Sequence, residues 1–198
     1  MNIPWLAGIR NHKTWLWLGV LTALILILLL LASIDLYPIA TVNGSPVSAR
    51  RFWKNYRAAG VYYENALKTY GPENKEMNGV PLAELEAQVL DRLVESELLR
   101  KGAEQEVGGD LDYLVSSKLS RLESDQDLKQ ASEALYKMSY DDFRSEVLVP
   151  QAVRDVLAGR LYLKGENIEE WTLAARRSAE VTILSKKFEW DGEKVVPR

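Results

Sequence analysis

Several groups of residues have types and spacings that could do chemistry. The first is a set of rings, Phe52, Trp53, Tyr56, Tyr62, Tyr63 and Tyr70, joined further along the chain by Tyr136 and Met138. Such rings offer large contact area with a polar edge, and a thioether fills irregular contacts, so they suit a surface that holds apolar groups of another molecule. Trp53, Tyr56, Tyr63, Tyr70, Tyr136 and Met138 are the candidate binding residues; core packing is the competing use of the same side chains, above all for Phe52 and Tyr56, one helical turn apart. A second group is acidic: Asp141, Asp142 and Glu146, and separately Asp110 and Asp112. None has the loop spacing of a calcium site, and helix capping accounts better for Asp110 and Asp142. A third, Ser116-Ser117-Lys118, holds the parts of a Ser-Lys hydrolase, but adjacent residues on a helix point in different directions and no base or oxyanion constellation accompanies them.

Composition narrows the chemistry further. The chain has 198 residues, 47% hydrophobic and 27% charged, with no cysteine, one histidine and a formal net charge of −3. The lack of cysteine excludes disulfides, thiolate metal sites and cysteine nucleophiles. His12 lies outside the body of the chain, which removes histidine triads and histidine-containing zinc sites from it. No glycine loop cradles a phosphate, so no nucleotide is expected, and the residues suggest no other cofactor and no metal. Residues 1–34 contain no acid and only Arg10 and Lys13 as bases, leaving 23 basic against 28 acidic residues in the remainder. A mildly acidic body lacks the clustered cations that nucleic acid requires.

The elements that would position the rings begin with an anchor. Residues 14–34 run without a charge and would span about 31 Å as a helix, the thickness of a bilayer's hydrocarbon core. A cleaved secretory signal is the rival reading, but its apolar stretch is usually shorter, and Leu31-Ala32-Ser33 is a poor cleavage site. Arg10 and Lys13 on one flank and Asp35 on the other place the N-terminus in the cytoplasm. Trp15 and Trp17 then fit the inner aromatic belt and Tyr37 the outer one. From Asp35 to Pro38 an extended tether reaches only about 14 Å, which would hold the body near the membrane surface.

In the body, Ile39–Val42 and Ser45–Val47 flank Asn43-Gly44, the pair that accepts the positive φ angles of a tight hairpin turn. Ser48 is placed to cap a helix over about 49–70, after which residues 71–79 compose a loop. Pro81 suits the first turn of the next helix, whose leucines and valines recur at three- and four-residue steps to about 104. Gly108-Gly109 ends it, and Asp110 is expected to cap a shorter helix; another runs from about 125 to 137. Ser139 and Asp142 approximate a capping box at the start of a long helix that Pro150 should kink or split by removing the bond to the carbonyl of Glu146. Gly165 stops it, Asn167 and Glu170 open a final helix to about Ser178, and the segments 180–185 and 188–196 read as strands turning at Asp191-Gly192.

Three segments taken together, Ala40–Gly44 with Val47 and Phe52, Val89–Leu99, and Met138–Arg144, resemble the N-terminal chaperone domain of the SurA foldase family, found also in the membrane-anchored foldases PpiD and PrsA. The resemblance covers roughly residues 39–163. It implies a client-binding domain that shields unfolded extracytoplasmic polypeptides, often joined to a parvulin-type prolyl isomerase. Only about 33 residues follow Gly165, too few for a parvulin module, so isomerase activity is not carried over. It also implies that the C-terminal segment returns to complete the domain.

The expected fold class is therefore mainly α: a transmembrane helix followed by a SurA-like helical domain with a small sheet made by N- and C-terminal strands. The expected order is 1–13 cytoplasmic, 14–34 anchor, 35–38 tether, 39–165 helical domain and 166–198 completing helix and strands. The expected function is that of a holdase-like chaperone, without enzymatic activity, outside a bacterial inner membrane. Its partners would be unfolded polypeptides, the lipid bilayer and the secretion machinery, but not nucleic acid. A membrane-tethered scaffold for one folded partner is the alternative, and a prolyl isomerase a third.

Overall fold

In a computed structural model of the protein, residues 12–33, 37–70, 82–120, 122 and 126–198 are described, the side chains of 12–16, 28, 30–33 and 70 excepted. The chain divides into two units, Met1–Tyr37 and Pro38–Arg198.

The first unit contains α1 (His12–Ser33). Every side chain from Trp17 to Ile27 is exposed, including Leu18, Leu21, Leu24 and Ile25. The hydroxyl of Thr22 donates to the Leu18 carbonyl at 2.9 Å, so the polar group among them is satisfied within the helix. Among the described residues no helix is long and apolar enough to cross a bilayer. The structure therefore does not support the transmembrane span expected over 14–34.

The second unit opens with the hairpin β1 (Pro38–Val42) and β2 (Ser45–Ser48). Asn43 and Gly44 occupy the turn with φ of 48° and 81°, the left-handed pair predicted from their identities. Ser48 accepts from the Arg51 amide at 3.2 Å, capping α2 (Ala49–Tyr70). The central helix, α3 (Leu82–Val107), passes through a 3₁₀ turn at Gly108–Asp110 into α4 (Leu111–Leu119). There the expected Asp110 cap is absent: Asp110 has near-helical backbone angles (−84°, −5°) and no side-chain bond to the helix. A helix entered directly from a 3₁₀ turn has already paired the amides that a cap would serve.

After α5 (Gln126–Tyr136) comes a continuous helical run from Tyr140 to Leu163. It starts as α6 (Tyr140–Phe143), capped by Ser139, widens into a π turn at Arg144–Leu148 and continues as α7 (Val149–Leu163). The π turn is the form taken by the irregularity expected at Pro150: one wider turn absorbs the missing amide without breaking the helix. Gly165, at φ 77°, ends α7, and Asn167 caps α8 (Ile168–Ser178) by accepting from the amides of Glu169 and Glu170.

The chain then returns to its beginning. Strand β3 (Val181–Ile183) pairs antiparallel with β1, giving the order β2-β1-β3, while β4 (Phe188–Trp190) and β5 (Val195–Pro197) form a second ribbon. The amide of Asn43 donates to the Glu180 carbonyl and the Glu180 amide to the Asn43 side chain, both at 2.8 Å, so one turn residue also fixes the register of the returning strand. The sheets, Phe52 of α2 and the N-terminal half of α3 share one core; the C-terminal half of α3 shares another with α4 and α7.

Arg176 closes the assembly. Its guanidinium makes two 3.0 Å bonds to Asp91 on α3, another to Glu95, and a 2.7 Å bond to the Glu193 carbonyl. Asp91 in turn accepts from the amide of Val195 at 2.9 Å. Further along α3 the indole of Trp171 lies on Gly102 so closely that a Cβ there would sit 2.3 Å from the ring. Gly102→Ala should consequently destabilise the fold by about 1–3 kcal/mol, although in an open helix the same change gains about 1 kcal/mol. Denaturant unfolding checks the sign, and Trp171→Leu in the same chain should recover much of the loss.

Candidate functional site

The helices of the second unit leave an open cleft of about 700 Å³ between α2, α3 and the segment running from the end of α5 to the start of α7. On α2 the wall is the stripe Arg51, Asn55, Ala58 and Tyr62, spaced at four, three and four residues so that all face one way. The small Ala58 and Ala59 make the trough. On α3 the stripe is Leu85, Val89, Arg92, Ser96 and Leu99, with Leu93 beside it. The third wall is Tyr136, Met138, Val147 and Pro150.

Two features hold the walls apart. Tyr62 and Tyr136 stack with centroids 5.2 Å apart and planes within 8°, and Tyr136 leans on Phe143 at 5.3 Å. Burial pushes the Tyr136 hydroxyl above its ordinary pKa, helped by the neighbouring Tyr62 and opposed by the positive charge of Arg92. At the other end an ionic lattice joins three segments. The Glu146 carboxylate, 9% exposed, accepts from Arg51 Nε at 3.0 Å and Asn55 Nδ2 at 2.9 Å, with Lys54 Nζ 3.6 Å away. Arg51 also bonds Glu97 and, at 3.2 Å, the Ser96 hydroxyl. Lys54 reaches Asp142 at 2.6 Å. A carboxylate this deeply placed would cost several kcal/mol if left unpaired, so the lattice fixes the spacing of α2, α3 and the π turn together.

Of the candidate binding residues, Tyr63, Tyr136 and Met138 come together in the cleft. Trp53 and Tyr56 lie outside it, packed with Phe52 against the core under the sheets; Phe52 meets Trp53 edge-on at 4.9 Å and Tyr56 in a stack at 6.2 Å. Tyr70 and Trp15 fall outside the described side chains, whereas Trp17 and Tyr37 are exposed in the first unit. The alanine trough and the arginines were missed as site residues, and Tyr62, named among the rings, was left out of the candidates. The spacing 51-55-58-62, an aromatic at the end of a small and polar stripe, is the signal that would have found them. Asp142 and Glu146 spend their charge on Lys54 and Arg51, Lys118 pairs with Asp155 at 3.3 Å, and Asp112 lies 3.7 Å from Arg100.

The lattice makes a pH prediction. The hydrogen bond from Lys54 holds the Asp142 carboxyl below its ordinary 3.8; burial works against it, and the Ser139 bond and the charges of Lys54 and Arg50 add to it. A depressed folded-state pKa contributes stability that is present above the unfolded value and is lost as pH falls through the folded one. Asp142 should thus titrate below 3.8 in a carboxyl-carbon NMR titration, and Lys54→Met should raise its midpoint. An unchanged midpoint would refute the clamp.

The model of the SurA-like N-terminal domain family matches residues 6–141, well over half of the chain, including the two long helices and the α5 end that wall the cleft. No curated protein and no solved structure matches significantly. With a family match of that extent, the chain belongs to the SurA-like N-terminal domain family, a family of folding helpers.

Proposed function

We propose that this protein is a membrane-anchored, extracytoplasmic chaperone of the holdase type, which shields apolar segments of unfolded polypeptides in the cleft between α2, α3 and α7. The observation that carries the reading is the cleft itself: about 700 Å³, open to solvent, with a tyrosine stack at one side and an alanine trough at its base. That volume accommodates a few side chains of an extended chain rather than a folded surface. Burying one leucine or phenylalanine there gains roughly 1.5–3 kcal/mol before the costs of ordering, so contacts are weak and release is fast. Holding of this kind needs no chemical step and no nucleotide.

The anchor belongs to the same proposal. A helix apolar on every side, as α1 is from Trp17 to Ile27, has no face to present to water. The uncharged stretch 14–34 supplies the length, and Arg10 and Lys13 the cytoplasmic flank of a bacterial inner membrane. Full-length protein should stay with the membrane through an alkaline carbonate wash, its body open to protease from the outer side only; release by the wash would remove the anchor.

The full chain in lipid nanodiscs, at equimolar ratio, should suppress aggregation of a denatured client diluted into buffer. Tyr62→Ala, at a half-exposed position that leaves the core alone, should raise the concentration needed about fivefold, the worth of about 1 kcal/mol of ring contact. Tyr113→Ala, exposed on α4 away from the cleft, should change nothing. Absence of suppression together with tight capture of one folded protein would replace the holdase by a scaffold, and acceleration of proline-limited refolding would make it an isomerase.

A further inference from the structure

The cleft's uncommitted charge is of one sign. Its two carboxylates are committed: Glu146 to Arg51, Asn55 and Lys54, and Glu95 to Arg154 and Arg176. Arg51 and Arg154 are committed in turn, the latter also to Glu169 at 3.2 Å. Arg92 differs. It lines the cleft from α3, its side chain is exposed, and it makes no ion pair among the described residues. It stands close enough to the tyrosine stack for its charge to act on Tyr136. In the same cleft the hydroxyl of Tyr63 is shielded from solvent and has no hydrogen-bond partner. A buried hydroxyl without a partner is costly, and a phenol readily serves as a donor. A cation and a donor are thus left over beside an apolar trough, and no carboxylate is left over to match them.

We infer that the cleft selects apolar or aromatic client segments that carry a carboxylate next to the buried side chain, the carboxylate being met by Arg92 and Tyr63. This rests on the client-binding reading above and adds a charge preference to it. The carboxylate can come from an aspartate or glutamate side chain or from the end of a chain, since a guanidinium recognises both alike. A lysine or arginine at the same place would meet Arg92 as a like charge.

The test uses the full chain in nanodiscs of uncharged lipid and short fluorescent peptides sharing one Phe-Leu core, flanked by Glu, Gln or Lys and amidated at the end, with a fourth Gln-flanked peptide left with a free terminal carboxylate. At low salt the Glu peptide should bind about threefold to tenfold more tightly than the Lys peptide, with the Gln peptide between, and the spread should shrink as salt is raised. Arg92→Gln, at an exposed position that no ion pair among the described residues holds, should level the ranking, the Glu peptide losing and the Lys peptide gaining affinity relative to the Gln peptide measured on the same variant; Arg92→Lys should restore part of it. Tyr63→Phe should weaken the Glu peptide more than the Gln peptide. A gain in the free-terminus arm extends the preference to chain ends, and a gain in the Glu arm alone assigns it to side chains. Equal binding of all four peptides, tighter binding of the Lys peptide, or a ranking that survives Arg92→Gln would overturn the inference and leave the holdase reading standing. Failure of every peptide to bind would instead remove the holdase reading and this inference with it.

Discussion

A buried carboxylate sets the shape of this molecule's working surface. Glu146 projects from the one turn of its helix that is wound more widely than an α-helix, and it lands between Arg51 and Asn55 on α2. Helices with alanines at their contact would otherwise close to the short separations that small side chains allow. The ionic lattice at one side and the tyrosine stack at the other act as spacers. What lies between stays hollow because the lattice cannot collapse without leaving a buried charge unpaired, nor the stack without parting its two rings. The π turn is thus tied to the cleft on two counts, absorbing Pro150 and aiming Glu146.

The second constraint is closure in sequence. Strand β1 is the middle strand of its sheet, and one of its two partners comes from the far end of the chain. Its edge is satisfied only when α8 has docked on α3 and delivered β3. The docking depends on Gly102, where the Trp171 ring occupies the space of a side chain, and on Arg176, whose partners lie on α3 and in the β4–β5 turn. The family match ends at residue 141, before α8 and the strands β3 to β5, yet the hairpin it includes is completed by them.

Much of this architecture was legible because it is local. Asn43-Gly44, Ser48, Ser139, Asn167 and Gly165 mark turns and helix ends through the conformations and bonds of single residues, and the helices lie between them as the apolar spacing predicts. Asp110 misled because a cap depends on how the preceding residues enter the helix, here through a 3₁₀ turn that its identity does not encode. The cleft was half legible. Periodicity placed the rings on helices but could not say which side of α2 would meet the sheets and which would meet α5. Trp53 and Tyr56 went to the first and Tyr62 to the second, a difference set by tertiary partners far along the chain. Charges that end in a lattice were invisible for the same reason: Arg51 and Glu146 are 95 residues apart.

A half-polar cleft suits reversible holding better than an apolar one would. A groove of this size lined only by leucine and phenylalanine would lower its own free energy by closing, or by capturing another copy of itself, since exposed apolar patches invite both. Arginines, glutamines and a serine in the walls keep the empty state hydrated and soluble. They also limit the gain from any one client, because each polar group that loses water must find a partner in return. Affinity then grows with the number of short apolar segments a client offers, and an unfolded chain offers many, whereas a folded one has withdrawn them. Discrimination between unfolded and folded clients follows from that multiplicity, and release upon folding needs no energy source beyond the client's own burial of the segments it had lent to the cleft.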